Sequence, residues 1–170
     1  IVFLSYDEPN AESQFEKLRK SYPRAKWCKG INMRSLAYIT AAQMSETDYF
    51  FFVTPKQDLV ESFKFDFQPD RMKNPCHYIF NARNPVTGLE YGHGAVLLYN
   101  KKLVMETARP GLDFTLSAPH DYVPILSCVN RFNQTAIMSW RTTFREVLKL
   151  LQMTPTVESK YRLKKWMQLG

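Results

Sequence analysis

Several stretches of this 170-residue chain combine residue types that can hold phosphate, sugar or a transferable proton. The first is Ser5-Tyr6-Asp7-Glu8, closing an apolar run, where an acid can meet a ribose or a base edge. Lys29-Gly30 is the second: the glycine lets backbone approach a ligand and the lysine can meet phosphate. The third, Thr54-Pro55-Lys56-Gln57-Asp58, follows the most apolar segment. In Leu89-Glu90-Tyr91-Gly92-His93-Gly94 two glycines flank a histidine just before another apolar run. Such a loop can bring backbone close to a sugar or phosphate, while His93 offers a neutral donor or acceptor. Arg141, Arg145 and Lys149 recur at i, i+4 and i+8, a cationic stripe whose guanidinium forks suit phosphate oxygens. Lys160, Arg162, Lys164, Lys165 and Trp166 add charge beside an aromatic, which fits a nucleic-acid backbone or base. Each stretch has a plainer reading, and for most of them the better-supported one, as a polar loop, a glycine-rich hairpin entry or a solvated helix face. His77 and His120 have no ligand spacing to His93, so no zinc site is assigned. No GxGxxG, P-loop or GxSxG pattern occurs, which disfavours dinucleotide-binding, Walker-type ATPase and α/β-hydrolase chemistry.

The elements that must position these residues follow from periodicity. Ile1–Tyr6 reads as a buried strand, with Asn10 capping a helix over Ala11–Tyr22 whose Phe15, Leu18 and Tyr22 share a face. Ala25–Cys28 is a second strand, Met33–Ser45 a second helix and Asp48–Val53 a central strand. This is the βαβαβ pattern of a nucleotide-binding half, expected parallel and right-handed, with ligands beyond the carboxyl ends of its strands. Ser62–Phe67 alternates like a half-exposed strand, and Cys76–Ala82 reads as another. Residues 95–107 read as a hairpin turning at Asn100-Lys101-Lys102. Residues 108–138 carry no clear pattern. Ser139–Gln152 is the clearest helix, its apolar face formed by Trp140, Phe144, Val147, Leu148 and Leu151, and Lys160–Leu169 is a shorter basic one. One domain is expected over 1–170, with a nucleotide-binding half (1–60), acceptor-side mixed strands (61–138) and basic C-terminal helices (139–170). Because the chain opens inside a strand, it reads as a region of a longer protein.

Composition sets the bounds. At 45% hydrophobic and 14% aromatic the chain can bury a core and is not disordered. Its longest apolar runs, Tyr49–Val53 and Ala95–Tyr99, are too short to cross a bilayer, so no membrane partner is expected. Cys28, Cys76 and Cys128 are isolated, which favours buried free thiols in a reducing compartment. The net charge of +7 is concentrated in residues 131–170, with eight basic and two acidic groups. A polyanion such as double-stranded DNA, or a nucleotide diphosphate, is the natural partner, against the simpler reading of a solubilising basic tail.

The run Phe3-Leu4-Ser5-Tyr6-Asp7-Glu8-Pro9-Asn10-Ala11-Glu12 resembles the opening of the TET/JBP-associated glycosyltransferases of phages and eukaryotes, which include the base J glucosyltransferase. So do Ala82-Arg83-Asn84-Pro85-Val86 with Leu89–Gly94, and Asn130-Arg131-Phe132-Asn133 with Ser139–Glu146, in the same order along the chain. The resemblance implies a GT-A-like, Rossmann-type α/β fold with a central, mostly parallel mixed sheet flanked by helices. It implies a nucleotide-sugar donor, UDP-glucose first, and transfer to a hydroxymethylated pyrimidine in DNA, in a host cytoplasm or a virion. By the same resemblance Tyr6, Asp7 and Glu8 lie at the nucleotide, Arg83, Asn84, Tyr91, Gly92, His93 and Gly94 line the sugar or acceptor pocket, and Arg141 and Arg145 sit near phosphate. One departure stands out. Where GT-A enzymes carry Asp-x-Asp to hold a divalent metal, this chain reads Thr54-Pro55-Lys56, and Asp58 is the nearest carboxylate. Either Lys56 and the arginines neutralise the diphosphate without Mg²⁺ or Mn²⁺, or the domain is a catalytically silent binding or structural module. Asp121, Glu106 and Glu146 are the candidate bases for the acceptor hydroxyl.

Overall fold

In the computed structural model, which describes residues 1–110, 114–131, 135–152 and 154–168, the chain is an α/β fold with one seven-stranded sheet and six helices among those residues. In chain order the elements are β1 (Val2–Ser5), α1 (Ala11–Ser21), β2 (Lys26–Lys29), α2 (Arg34–Met44), β3 (Tyr49–Val53), β4 (Gln57–Leu59), β5 (His77–Arg83), β6 (Glu90–Asn100), α3 (Lys101–Thr107), α4 (Phe114–Ser117), β7 (His120–Asn130), α5 (Ala136–Gln152) and α6 (Val157–Met167). The strands lie in the order β2-β1-β3-β6-β5-β7-β4.

The first half follows the expected pattern: β1 pairs in parallel with β2 and with β3, and helices connect them. Beyond β3 the sheet is more mixed than expected. β6 runs antiparallel to both β3 and β5, β7 is parallel to β5, and β4 is antiparallel to β7. Strict alternation along β3 explains its central place. Phe50 and Phe52 face a core with Val2, Leu97, Tyr99 and the α2 alanines Ala41 and Ala42. Phe51 faces the opposite core, with Phe63, Phe80 and Leu98, while Val53 joins Phe3 and the α1 residues Phe15 and Leu18. A strand buried on both faces reads as a continuous apolar run, which is what Tyr49–Val53 is.

Two expected elements differ, and a stretch without a clear pattern proves to hold a strand. Residues 62–67 form no ladder; the period of two there is a period of burial, with Phe63, Phe65 and Phe67 packing edge-on or tilted against Phe51, Tyr78 and Phe80. Residues 101–107 are helix α3 and not the return strand of a hairpin. Asn100 decides this: its side chain accepts from the Leu103 N–H and caps the helix. The unassigned stretch contains β7, eleven residues long and interrupted by register shifts against β5, which obscures its periodicity. Cys28, Cys76 and Cys128 are buried free thiols. Among the described residues no helix is long and apolar enough to cross a membrane.

Candidate functional site at the carboxyl edge of the sheet

Parallel strands β1, β2 and β3 end on one edge, and their connecting loops meet there. The Gly30 N–H donates to the Ser5 carbonyl at 3.1 Å, and Gly30 holds φ +75°, a turn that favours glycine. Asn10 does not cap α1 with its side chain; its Nδ2 donates to the Pro55 carbonyl at 2.9 Å and ties the loop after β1 to the loop after β3. Lys56 Nζ lies 3.1 Å from Glu8 Oε1, while Glu8 Oε2 accepts the Tyr6 N–H at 2.8 Å. Burial opposes the charge on Glu8, but the backbone N–H groups and the Lys56 ammonium outweigh it and hold the carboxyl below its usual range. Tyr6, Asp7 and Lys29 are exposed at this edge, Lys29 standing 4.5 Å over the Trp27 ring. Helix α2 begins just beyond, with no side-chain cap, no acid in its first turn and Arg34 as its first residue. Its open N–H groups and these cations form a surface suited to an anion.

The residues that would replace Asp-x-Asp do not fit a divalent cation. Thr54 Oγ1 donates to Gln57 Oε1, Lys56 is a cation, and Asp58 Oδ2 is taken by Arg131 Nε at 2.6 Å. No cluster of three or more His, Cys, Asp or Glu suited to a metal occurs among the described residues.

β6 carries the second group to the same edge. Val53, the last residue of β3, pairs with Val96, so Glu90–Ala95 run on past the end of β3. Gln57 Nε2 donates to the Ala95 carbonyl and fixes this overhang to the loop after β3. On the overhang Tyr91 is buried; its hydroxyl accepts from Asn84 Nδ2 and donates to Glu146 Oε2 of α5, both at 3.2 Å. Arg162 of α6 places its guanidinium 3.7 Å from the Tyr91 ring centre and Nη2 3.3 Å from the same Glu146 oxygen. Burial pushes the Tyr91 phenol up, and the Glu146 charge adds to it. His93 lies beside Tyr91, with ring centroids 6.2 Å apart, and its Nδ1 is buried without a hydrogen-bond partner. Burial lowers the His93 pKa, so the ring is held neutral.

Asn84, Tyr91 and His93, close in sequence, are thus joined into one cluster by the distant Glu146. Other candidates are placed differently. Arg83 is paired with Glu90 at 2.7 Å. Gly92 lies under the Tyr122 ring, which a Cβ there would overlap, whereas Gly94 opens onto free space. Asp121 stands at the start of β7, opposite Tyr78, and meets Lys73 at 3.0 Å; it does not join the cluster. Glu106 lies on α3 with Lys102 as its partner, 3.9 Å away. Arg141 and Arg145 are exposed on α5. Phe132, Asn133 and Leu169 lie outside the described residues. In the sequence Arg162 stands only within a basic segment. Its role beneath Tyr91 has no local signal, because its i, i+4 partner Glu158 suggests nothing beyond a surface helix pair.

No protein-family profile and no curated protein matches the sequence. Among solved structures, the fold is similar to the crystal structure of HddC from Yersinia pseudotuberculosis, with 14% identity and a TM-score of 0.43 over 75% of this chain and 70% of that one. A likeness of that size assigns neither a family nor an activity.

Proposed function

We propose that this domain binds a nucleotide sugar at the carboxyl edge of β1–β3 and is a GT-A-like glycosyltransferase of the TET/JBP-associated type, acting on a hydroxymethylated pyrimidine in DNA. The observation that carries the reading is the meeting of Ser5–Glu8, Gly30 and Thr54–Gln57 with the Tyr91–His93 overhang on one edge. In such a reaction the bond from the sugar C1 to the diphosphate oxygen breaks as the acceptor oxygen bonds C1 and gives up its proton. Charge gathering on the departing diphosphate calls for cations, and Lys29, Arg34 and Lys56 supply them at this edge without a metal. Glu146 is engaged by Tyr91 and Arg162, which leaves the neutral, unpartnered His93 Nδ1 as the better-suited proton acceptor in the cluster.

A second reading is a silent relative that retains the edge as a binding surface. It is favoured by the clamping of Lys56 on Glu8 and of Asp58 on Arg131, which closes the place of a metal site with internal ion pairs. Calorimetry with UDP-glucose and other nucleotide sugars, in EDTA and in manganese, tests both. Binding in EDTA followed by glycosyl transfer to hydroxymethylcytosine DNA supports the enzyme. Binding without transfer leaves the silent relative, and no binding under either condition removes the nucleotide-sugar site altogether.

A further inference from the structure

Helix α5 is turned the wrong way round for a core helix. Ile137, Trp140, Phe144, Leu148 and Leu151 form one stripe, and all five are between 39% and 62% or, for Trp140, 64% exposed. Its buried residues are Glu146 and Leu150. Trp140 and Phe144 stack on each other, centroids 5.4 Å apart and planes within 7°, and present their rings together. Arg141, Arg145 and Lys149, all exposed, border the stripe along one side. On α6, tied to α5 through Arg162 and Glu146, the same mixture recurs: Val157, Tyr161 and Met167 are exposed, and so are Lys160 and Lys164.

We propose that this α5–α6 face docks onto an anionic lipid surface, with α5 lying in the plane of the headgroups and not across the bilayer. An interfacial helix needs an aromatic and aliphatic stripe to enter the acyl boundary and cations beside it to meet lipid phosphate, and α5 supplies both. Four ionisable residues in its seventeen, Arg141, Arg145, Glu146 and Lys149, prevent it from spanning. Nucleic-acid phosphate would engage the cations but has no use for Ile137, Leu148 and Leu151. Antiparallel pairing of α5 with a second copy would set Arg141 against Lys149 of that copy, like charge on like.

The test is co-sedimentation of the whole chain with vesicles of phosphatidylcholine alone and of equimolar phosphatidylcholine and phosphatidylglycerol. Binding to the anionic vesicles only, weakened by salt, is expected. The double variant Trp140→Ser, Phe144→Ser should weaken it at least about tenfold, and Arg141→Glu with Arg145→Glu by about as much. These side chains are exposed, so thermal melts of the variants should match the parent; Lys160→Glu reports separately on α6 should either α5 variant misfold. Absence of binding to anionic vesicles overturns the proposal, as does binding that the loss of both aromatic rings leaves unchanged. A dimer that the double variant breaks assigns the face to a second copy. Preference for a Glu/Leu amphipathic peptide over vesicles assigns it to a protein helix. Either of these results also overturns the proposal.

Discussion

The β1–α2 half and the α5–α6 pair use the same kind of sequence pattern to opposite ends. On α1, Phe15 and Leu18 recur at helical spacing and are buried against Phe3 and Val53. On α5 a longer and more regular apolar stripe faces solvent, and the helix is held by the carboxylate of Glu146. Amphipathic spacing states that a helix has an apolar side; it does not state what that side meets. In the first half the neighbouring strands meet it within a few tens of residues. On α5 the inward face is chosen by long-range polar partners, Tyr91 from β6 and Arg162 from α6.

The largest expected contrast is between two phenylalanines. Phe52→Ala removes a fully buried ring and should cost about 3–5 kcal/mol in urea unfolding, whereas Phe144→Ala, half exposed, should change stability by under about 0.5 kcal/mol. Equal costs would erase the distinction between the regions. Glu146→Ala takes the nearer carboxylate from the mostly buried Arg162, leaving it only Glu158 at 3.8 Å, and should cost about 2 kcal/mol, while the double change Glu146→Leu, Arg162→Met should cost less than that. If the single variant were as stable as the parent, the polar anchor of α5 would be lost as an explanation.

Acid should expose a third difference. His77 is fully buried, and burial, assisted by the charge of His120, pulls its pKa down from 6.5 to about 4. Between those values the unfolded chain binds a proton that the folded chain does not. The stabilisation is therefore complete above pH 6.5 and is lost as the pH falls toward 4, by up to roughly 3 kcal/mol. Unfolding followed from pH 7 to pH 4 should show this decline, and His77→Asn should flatten it. The smallest effect is at the site itself. Lys56→Ala should weaken nucleotide binding in EDTA by about tenfold, yet alter stability by less than about 1 kcal/mol, because its pair with Glu8 is largely solvated on the lysine side.

Much of the first half is legible from the residues. The continuous apolar run Tyr49–Val53, punctuation at Pro23 and Gly30, and the helical faces of α1 and α2 lead directly to a parallel β2-β1-β3 unit. Gly30 and Thr54–Asp58 can be placed at its edge from that alone. The middle is less legible because side-chain periodicity and backbone pairing separate there: Phe63, Phe65 and Phe67 alternate in burial with no ladder, and Asn100 ends a strand by starting a helix. In the cluster, Asn84, Tyr91, His93 and Glu146 come forward through their resemblance to a family motif. Arg162 does not, since its contacts with Glu146 and Tyr91 are to residues sixteen and more positions away, and its local partner Glu158 gives no hint of them.

Gly92 carries a consequence for variation along the lineage of this domain. The Tyr122 ring occupies the volume that any side chain at position 92 would need. A side chain at position 92 therefore requires the half-exposed Tyr122 ring to swing aside or to be replaced by something smaller. A glycine next to a histidine invites interpretation as a ligand cradle; here the missing side chain makes room for a ring carried on β7, beyond β5 in the sheet, whichever molecule the domain receives.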